Sequence, residues 1–260
     1  MLTAEFYDIS LWVYLLIFVT VFVGSVIDAL VGGGGLITIP TYLICGLPPH
    51  VAIGTNKINS TMGTVISAIA YYRKGFVEKK SIIPVVVATI AGAVTGSKCV
   101  LLISAVFLKY LMIGLLPFIV LLMLRKKLPD IDKPVLVQGT VQWIKLLSLV
   151  FIIGFYDGFY GAGTGLFLVI AFTYIMKMNV YQAAGNGKIS NLASNCAALF
   201  VFAVNGNICY PLAIIATIAA VLGQYLGSGL LVEKGALIVK PTMITVVSIL
   251  LISTLLDLFR

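Results

Sequence analysis

The chain has 260 residues, of which 61% are hydrophobic and only 10% are charged. Because a soluble domain carries about 25% charged residues, this composition excludes an ordinary soluble protein and predicts a single transmembrane domain over residues 1–260. The formal net charge of +8 does not indicate nucleic-acid binding, since most basic residues lie in short loops between apolar segments, where they report membrane orientation.

Ten apolar segments follow one another, most of them near the roughly 20 residues that a bilayer-spanning helix needs. Their approximate bounds are 10–31, 35–46, 50–72, 81–103, 106–124, 144–160, 165–177, 181–204, 210–231 and 240–258. The second and seventh are too short to cross as straight helices, and each follows a glycine cluster. We expect these two to be half-helices or the far sides of broken helices, and whether they span or re-enter stays open.

The second half of the chain repeats the first. The offset between Lys57 and Lys188 is 188 − 57 = 131, and Asp28 pairs with Asp157 at an offset of 129. The offset of 131 also relates Gly54 to Gly185, Gly75 to Gly206, Gly92 to Gly223, Gly96 to Gly227, Ser97 to Ser228, Lys109 to Lys240 and Met112 to Met243. The sequence therefore predicts an all-α polytopic membrane protein with two repeats of five segments, about 10–124 and 141–258, joined by a linker at 125–140.

An odd number of segments per repeat predicts that the two repeats are inverted relative to each other. Basic residues cluster at 73–80 and at 125–133, in two loops that are two crossings apart and therefore share a side. The positive-inside rule assigns that side to the cytoplasm. If every segment crosses, Lys177 and Lys234 also fall inside, and both chain termini fall outside.

Lys57 and Lys188 each lie about two helical turns into an apolar segment, among amide and hydroxyl side chains. The neighbours are Thr55, Asn56, Asn59 and Ser60 in the first repeat and Asn186, Ser190, Asn191 and Asn195 in the second. Intramembrane charges are costly unless they face a cavity or one another. This pattern predicts a cradle for a sulfonate, sulfite or carboxylate. The alternative is that each lysine extends to a nearby membrane interface.

The glycine clusters Gly32–Gly35 and Gly161–Gly165 are predicted to interrupt their helices, because each glycine costs about 1 kcal/mol relative to alanine. Unwound backbone in a bilayer is tolerated where it lines a cavity or is buried in protein. The half-helices that follow would direct their N–H groups towards a bound anion. The candidate contacts are Gly34, Gly35, Gly163 and Thr164. The alternative is that the glycines only permit close helix packing.

Asp28 and Asp157 each precede a glycine cluster. They are candidates for proton coupling, since carboxylates inside membranes often serve as proton relays. They could equally pair with Lys188 and Lys57, or cap the half-helices, and the sequence leaves these alternatives open.

Gly92-x-x-x-Gly96 and Gly223-x-x-x-Gly227 are typical of closely packed helix pairs. The spacing alone does not decide whether they pack within one chain or form a homodimer.

No catalytic set is recognisable, and we expect no enzyme activity, cofactor or metal. Gly185-Asn186-Gly187-Lys188 is not a P-loop, because Ile189 replaces the Ser or Thr that the motif requires and no strand precedes it. The chain has a single histidine and no recognisable soluble catalytic domain, so we do not expect ATP-driven transport by this chain alone. Secondary transport and passive conduction are the candidate functions.

The duplicated motifs resemble the sulfite exporter TauE/SafE family, also described as the sulfonate uptake permease family. The resemblance rests on residues 28–36 with Pro40, 54–57, 157–165 and 186–188, and covers about residues 10–258. It implies a secondary transporter in the inner (plasma) membrane for sulfite or organic sulfur anions, often in the outward direction. It also implies a substrate site between the repeats, formed by the polar residues near the two motifs. An anion channel, or a carrier for a non-sulfur anion, is the alternative.

Overall fold

The computed structural model describes residues 10–108, 110–112, 114 and 139–234, and regular structure in this part of the chain is helical. The helices are α1 (Leu11–Val31), α2 (Gly35–Ile44), α3 (Pro49–Arg73), α4 (Lys79–Leu101), α5 (Thr140–Phe159), α6 (Thr164–Ile175), α7 (Val180–Val204) and α8 (Tyr210–Lys234). The all-α prediction is confirmed for these residues. The predicted tenth segment and most of the fifth segment and the linker lie outside them.

Five of the described helices are long and apolar enough to cross a membrane, namely α1, α4, α5, α7 and α8. This finding supports a multi-pass membrane protein. Helix α3 has 25 residues and would extend about 37 Å at 1.5 Å per residue. Its many polar side chains, which include Lys57 and Asn56, set it apart from the five apolar helices.

Helices α2 and α6 are short, with 10 and 12 residues, as predicted for the two segments that follow glycine clusters. The breaks before them contain Gly32, Gly161 and Gly163, whose φ angles are +80°, +85° and +80°. Residues with side chains rarely adopt this left-handed conformation, whereas glycine adopts it without strain. The clusters therefore end one helix and begin the next within a few residues.

The bounds of the helices reproduce the offset found in the sequence. Helices α3 and α7 both have 25 residues, and their first positions differ by 180 − 49 = 131. The first positions of α4 and α8 differ by the same amount, 210 − 79 = 131. The order of long and short helices is the same in the two halves of the described chain.

The two halves pack against each other through reciprocal helix contacts. Helix α1 of the first half lies against α8 of the second, and α4 of the first half lies against α5 of the second. Between them, α3 and α7 pack on each other, while α3 also contacts α8 and α7 also contacts α4. The core is therefore formed between the halves, and both halves contribute to the surroundings of α3 and α7.

Helices α3 and α7 run antiparallel. Gly54, near the start of α3, contacts Asn207, just beyond the end of α7. At the opposite end, Phe76 follows the end of α3 and its ring lies 5.0 Å from that of Tyr181 at the start of α7. The loop that follows Arg73 therefore lies at the same end of the molecule as the loop that contains Lys177.

The two G-x-x-x-G motifs pack helices against each other within the chain. Gly92 and Gly96 on α4 lie against the backbone of α5, and Gly223 and Gly227 on α8 lie against the backbone of α1. A Cβ atom at any of these four positions would overlap backbone atoms of the partner helix. Close packing is confirmed, and these glycine faces are occupied by helices of the same chain.

Candidate functional site

The two glycine breaks meet at the centre of the molecule. Gly32 of the first break lies against Gly165 of the second, and a Cβ atom at Gly35 would lie 3.2 Å from the Cα atom of Ala162. Helix α2 begins at Gly35, and helix α6 begins one residue before Gly165. The N-termini of both short helices, with the positive ends of their dipoles, therefore converge on one region between the halves.

Lys57 on α3 forms an ion pair with Asp157 near the end of α5. The Lys57 Nζ atom lies 2.9 Å from Asp157 Oδ2, and both side chains are only 1% exposed. Lys57 also donates a hydrogen bond of 2.9 Å to the amide oxygen of Asn195 on α7. One buried ammonium group thus joins helices from both halves.

Lys188 on α7 forms the reciprocal ion pair with Asp28 on α1. The Lys188 Nζ atom lies 2.6 Å from Asp28 Oδ2 and also donates to the Asp28 main-chain oxygen at 2.5 Å. The same carboxylate accepts hydrogen bonds from Gln224 Nε2 at 2.7 Å and from the Gly34 N–H at 3.3 Å. Several donors therefore hold Asp28 in place.

These pairs bear on two sets of sequence alternatives. The lysines do not extend to a membrane interface, since Lys57 is 1% and Lys188 is 4% exposed and both contact carboxylates of the opposite half. The pairing alternative is the one that the structure shows for both aspartates. A buried charge is strongly unfavourable without a partner, and the four charges together sum to zero.

The Lys57–Asp157 pair explains why glycine occupies position 161. Gly161 has a φ angle of +85°, and a Cβ atom there would lie 2.7 Å from Lys57 Nζ and 3.0 Å from Asp157 Oδ1. The backbone conformation and the ion pair thus both exclude a side chain. The glycine cluster serves close contact as well as helix interruption.

A small polar cavity of about 10 Å³ lies where the breaks and the ion pairs meet. Both halves line it, with Asp28, Gly32, Gly35, Asn56, Ser60, Asp157, Gly161, Gly165, Asn191 and Asn195. This volume is about what one water molecule needs and is smaller than any sulfur oxyanion. The arrangement is a small polar site between the halves.

Several of the predicted site residues line this cavity and others support its walls. Asn56, Asn191 and Gly35 line it, and the Asn56 amide oxygen accepts a hydrogen bond of 2.6 Å from Thr38 on α2. Gly34 contacts Asp28 through its N–H group.

Two other predicted contact residues, Thr55 and Asn59, form hydrogen bonds to neighbouring elements and not to the cavity. The hydroxyl of Thr55 accepts from the Cys209 N–H at 2.9 Å, and the Asn59 amide lies 2.9 Å from the Tyr42 hydroxyl. These bonds connect α3 to its neighbours, so Thr55 and Asn59 hold that helix in place and do not line the cavity.

In the second half, Asn186 donates to the Gln182 main-chain oxygen at 2.9 Å, and Ser190 donates to the Asn186 main-chain oxygen at 2.8 Å. Thr164 donates to the Gly161 main-chain oxygen at 3.0 Å. Gly163, which immediately precedes α6, has a left-handed backbone conformation. These residues shape α7 and the second break without lining the cavity.

The repeat pattern gave no signal for Gln224. At an offset of 131 its equivalent, 224 − 131 = 93, is Ala93, so Gln224 has no polar counterpart in the first repeat. Its signal is an amide inside the apolar segment of α8. Asn195 and Ser60 could be found as polar neighbours of the lysines, and both line the cavity.

Comparisons with known proteins identify the family of this chain. Residues 16–254 match the family model described as sulfite exporter TauE/SafE. A probable membrane transporter protein, ORF9, from Sinorhizobium is 34% identical over 96% of this chain and 95% of its own length. One from Haemophilus influenzae is 31% identical over 91% and 92%, and YfcA from Escherichia coli is 30% identical over 93% and 88%. No solved structure matches the chain.

Proposed function

Since this chain belongs to the sulfite exporter TauE/SafE family of membrane transporters, we propose that it is a secondary transporter for sulfite or a small sulfonate. The carrying observation is the small polar cavity, which both halves line and which the N-termini of two short helices approach. Discontinuous helices directed at a site between two repeats are typical of secondary transporters. The proposed direction is export, as the family description states.

The way in which the halves contact each other supports alternating access as the mechanism. Lys57 joins α3 to α5, and Lys188 joins α7 to α1, so each ion pair crosses between the halves. A solute larger than the cavity enters only if these contacts loosen on one side. Movement of one half against the other would open the site to each side in turn.

The proposed repeats are inverted across the membrane. The antiparallel packing of α3 and α7 supports this arrangement, because helices at equivalent positions of inverted repeats run in opposite directions. The basic loops near Arg73 and Lys177 lie at one end of the molecule, which we place in the cytoplasm. In this orientation both termini lie on the outer side of the inner membrane.

The proposed anion contacts are Lys57 and Lys188, with the amides of Asn56 and Asn191, inside a site whose walls include the first turns of α2 and α6. Helix N-termini favour anions, and ammonium groups form strong hydrogen bonds with oxyanions. The lysines already neutralise two carboxylates. We therefore include proton coupling through Asp28 or Asp157, since protonation of a carboxylate would free its lysine for the anion.

The supporting set keeps these groups in position. Thr55 and Asn59 connect α3 to neighbouring elements. Asn186 and Ser190 form hydrogen bonds within α7. Gly34, Gly163 and Thr164 form part of the two glycine breaks. In this proposal they affect substrate affinity through the geometry of the helices.

The test is the thermal stability of detergent-purified protein in a panel of sulfite, methanesulfonate, sulfoacetate, taurine, thiosulfate, sulfate and simple carboxylates. A ligand that binds the folded state raises the melting temperature by mass action. We expect a sulfur anion to stabilise the protein, and stabilisation by carboxylates alone would contradict the sulfur assignment. In proteoliposomes, a carrier exchanges labelled anion for unlabelled anion, whereas a channel shows flux that does not saturate.

A further inference from the structure

We propose that Asp157 is the residue that takes up the coupled proton, and that one proton accompanies each monovalent anion into the site. This inference rests on the proposed function. It assigns to one carboxylate a role for which the sequence nominates Asp28 and Asp157 equally. It also makes transport of a monovalent anion electroneutral.

The two carboxylates differ in how many donors stabilise their charge. Asp28 receives hydrogen bonds from Lys188, Gln224 and the Gly34 N–H, and its side chain is 19% exposed. Asp157 is 1% exposed and lies beside Lys57. Within the described residues its Oδ2 atom has no hydrogen bond of acceptable geometry.

A proton therefore costs less at Asp157 than at Asp28. Protonating Asp28 would weaken the hydrogen bonds that three donors make to its carboxylate, and each of these bonds favours the ionised form. Protonating Asp157 removes a single ion pair, and the Lys57 ammonium keeps its hydrogen bond of 2.9 Å to Asn195. Lys57 is then a buried cation without a counter-charge, beside a cavity that Asp157 and Asn195 both line.

The charge balance of the cavity supplies the stoichiometry. Lys57, Lys188, Asp28 and Asp157 sum to zero, and an anion added to this buried set would leave one uncompensated negative charge. A proton that moves from the aqueous phase to an Asp157 carboxylate oxygen restores neutrality. The anion then takes the place of that carboxylate beside Lys57, and both leave together on the other side.

Within the described part of the chain, the neighbouring elements provide no further carboxylate for this role. The titratable groups around the cavity and around Asp157 are Lys57 from α3, Asp28 from α1, Lys188 from α7 and the two tyrosines of its own helix end, Tyr156 and Tyr160. The Tyr156 hydroxyl donates to the Ala162 main-chain oxygen at 2.5 Å. Helix α4 presents Ala93 and Ser97 to this part of α5, and the one titratable residue on α6, Tyr174, lies near its far end.

The test measures protons and affinity together, with methanesulfonate as the probe because its charge stays at −1 throughout. Titration calorimetry in Tris and in imidazole, whose ionisation enthalpies differ, counts the protons taken up per bound anion. These buffers contain no sulfonate group of their own. For the wild-type protein we expect one proton, with affinity falling about tenfold per pH unit where Asp157 is ionised in the free protein.

Asp157→Asn and Asp28→Asn form the matched comparison. Asp157→Asn should bind methanesulfonate without proton uptake and with affinity independent of pH, whereas Asp28→Asn should keep one proton per anion at whatever affinity remains. If an asparagine variant does not fold, the glutamate variants decide, because Asp157→Glu should move the midpoint of the pH dependence and Asp28→Glu should not.

The outcomes separate this inference from the proposed function. Binding by the wild type without proton uptake overturns the inference alone, as does a pH dependence that Asp157→Asn retains or that Asp28→Asn abolishes. If neither methanesulfonate nor any other sulfur anion binds at any pH, the proposed function fails, and the inference fails with it.

Discussion

The two buried ion pairs occupy equivalent positions in the two halves but have different surroundings. Both side chains of the Lys57–Asp157 pair are buried, and among the described residues the Lys57 ammonium group has one further acceptor, the Asn195 amide oxygen. Around Lys188–Asp28, a glutamine and a backbone N–H also bind the carboxylate. The duplicated motif thus contains one firmly held pair, Lys188–Asp28, whose carboxylate has donors besides the lysine. In the other pair, Lys57–Asp157, the carboxylate depends on its lysine. Symmetry in the sequence therefore does not imply equal surroundings for the two pairs.

Removing each lysine in turn should reveal the largest difference. Lys57→Met leaves Asp157 buried without a cation, which we expect to lower the free energy of unfolding by about 3–5 kcal/mol. Lys188→Met should cost less, by about 1.5–3 kcal/mol, because Gln224 and Gly34 still donate to Asp28. Denaturant titrations in detergent measure both values.

The double variant Lys57→Met with Asp157→Asn is the control for that experiment. It removes both charges and should recover most of the lost stability, since a missing pair costs much less than a broken one. Equal losses in the two single lysine variants would show that the pairs are equivalent after all.

Gly161→Ala should damage the Lys57–Asp157 pair without changing either charge. Gly46 provides a close match, because its φ angle of +87° is close to the +85° of Gly161 and a Cβ atom there would meet no other atom within 4 Å. Gly46→Ala should cost the backbone strain alone, about 1–2 kcal/mol. Gly161→Ala should cost about 1–3 kcal/mol more from overpacking.

Melting temperatures of these two variants, recorded with and without the stabilising anion, check this expectation. Only Gly161→Ala should also weaken the stabilisation by the anion. A common loss of stability in both variants, with anion binding intact, would mean that the pair tolerates a methyl group at this position.

Gln224→Leu should make the firmly held pair more like the other one. It removes a donor from Asp28 and should cost about 1–3 kcal/mol, the usual penalty for a lost hydrogen bond to a buried charge. Proton counting by calorimetry on this variant would show whether Asp28 then begins to bind protons. An unchanged stability would argue that the hydrogen bond from Gln224 contributes little.

The smallest expected effect compares two amides of α7. Asn191 lines the cavity, whereas Asn186 donates to a main-chain oxygen of its own helix. Asn191→Ala should weaken anion binding about tenfold, which corresponds to about 1.4 kcal/mol, and Asn186→Ala should change it less than twofold. Binding isotherms for the two variants decide, and a larger loss in Asn186→Ala would place that amide in the site.

Much of the fold could be predicted because helix formation and membrane insertion depend on local properties. Runs of apolar residues set the positions of the long helices, and clusters such as Gly32–Gly35 set the breaks, since glycine loses more conformational freedom in a helix than other residues do and readily adopts positive φ angles. The repeat offset placed α3 and α7 in equivalent positions before any contact was known. These features require only neighbouring residues or a comparison of the chain with itself.

The tertiary structure alone decided which polar groups face one another. The sequence identified Lys57, Lys188, Asp28 and Asp157 as unusual charges and left their partners open, because the partners lie far apart in the chain and meet only when the halves pack together. Helical periodicity separates Asn191, three residues after Lys188, from Asn186, two residues before it, but only the packing of the helices shows which face of α7 lines the cavity. Gln224 has no equivalent in the other repeat, and only the packing of α8 on α1 brings it to Asp28. The sequence determined which residues a membrane cannot leave unpaired, and the packing of the two halves determined how each of them is paired.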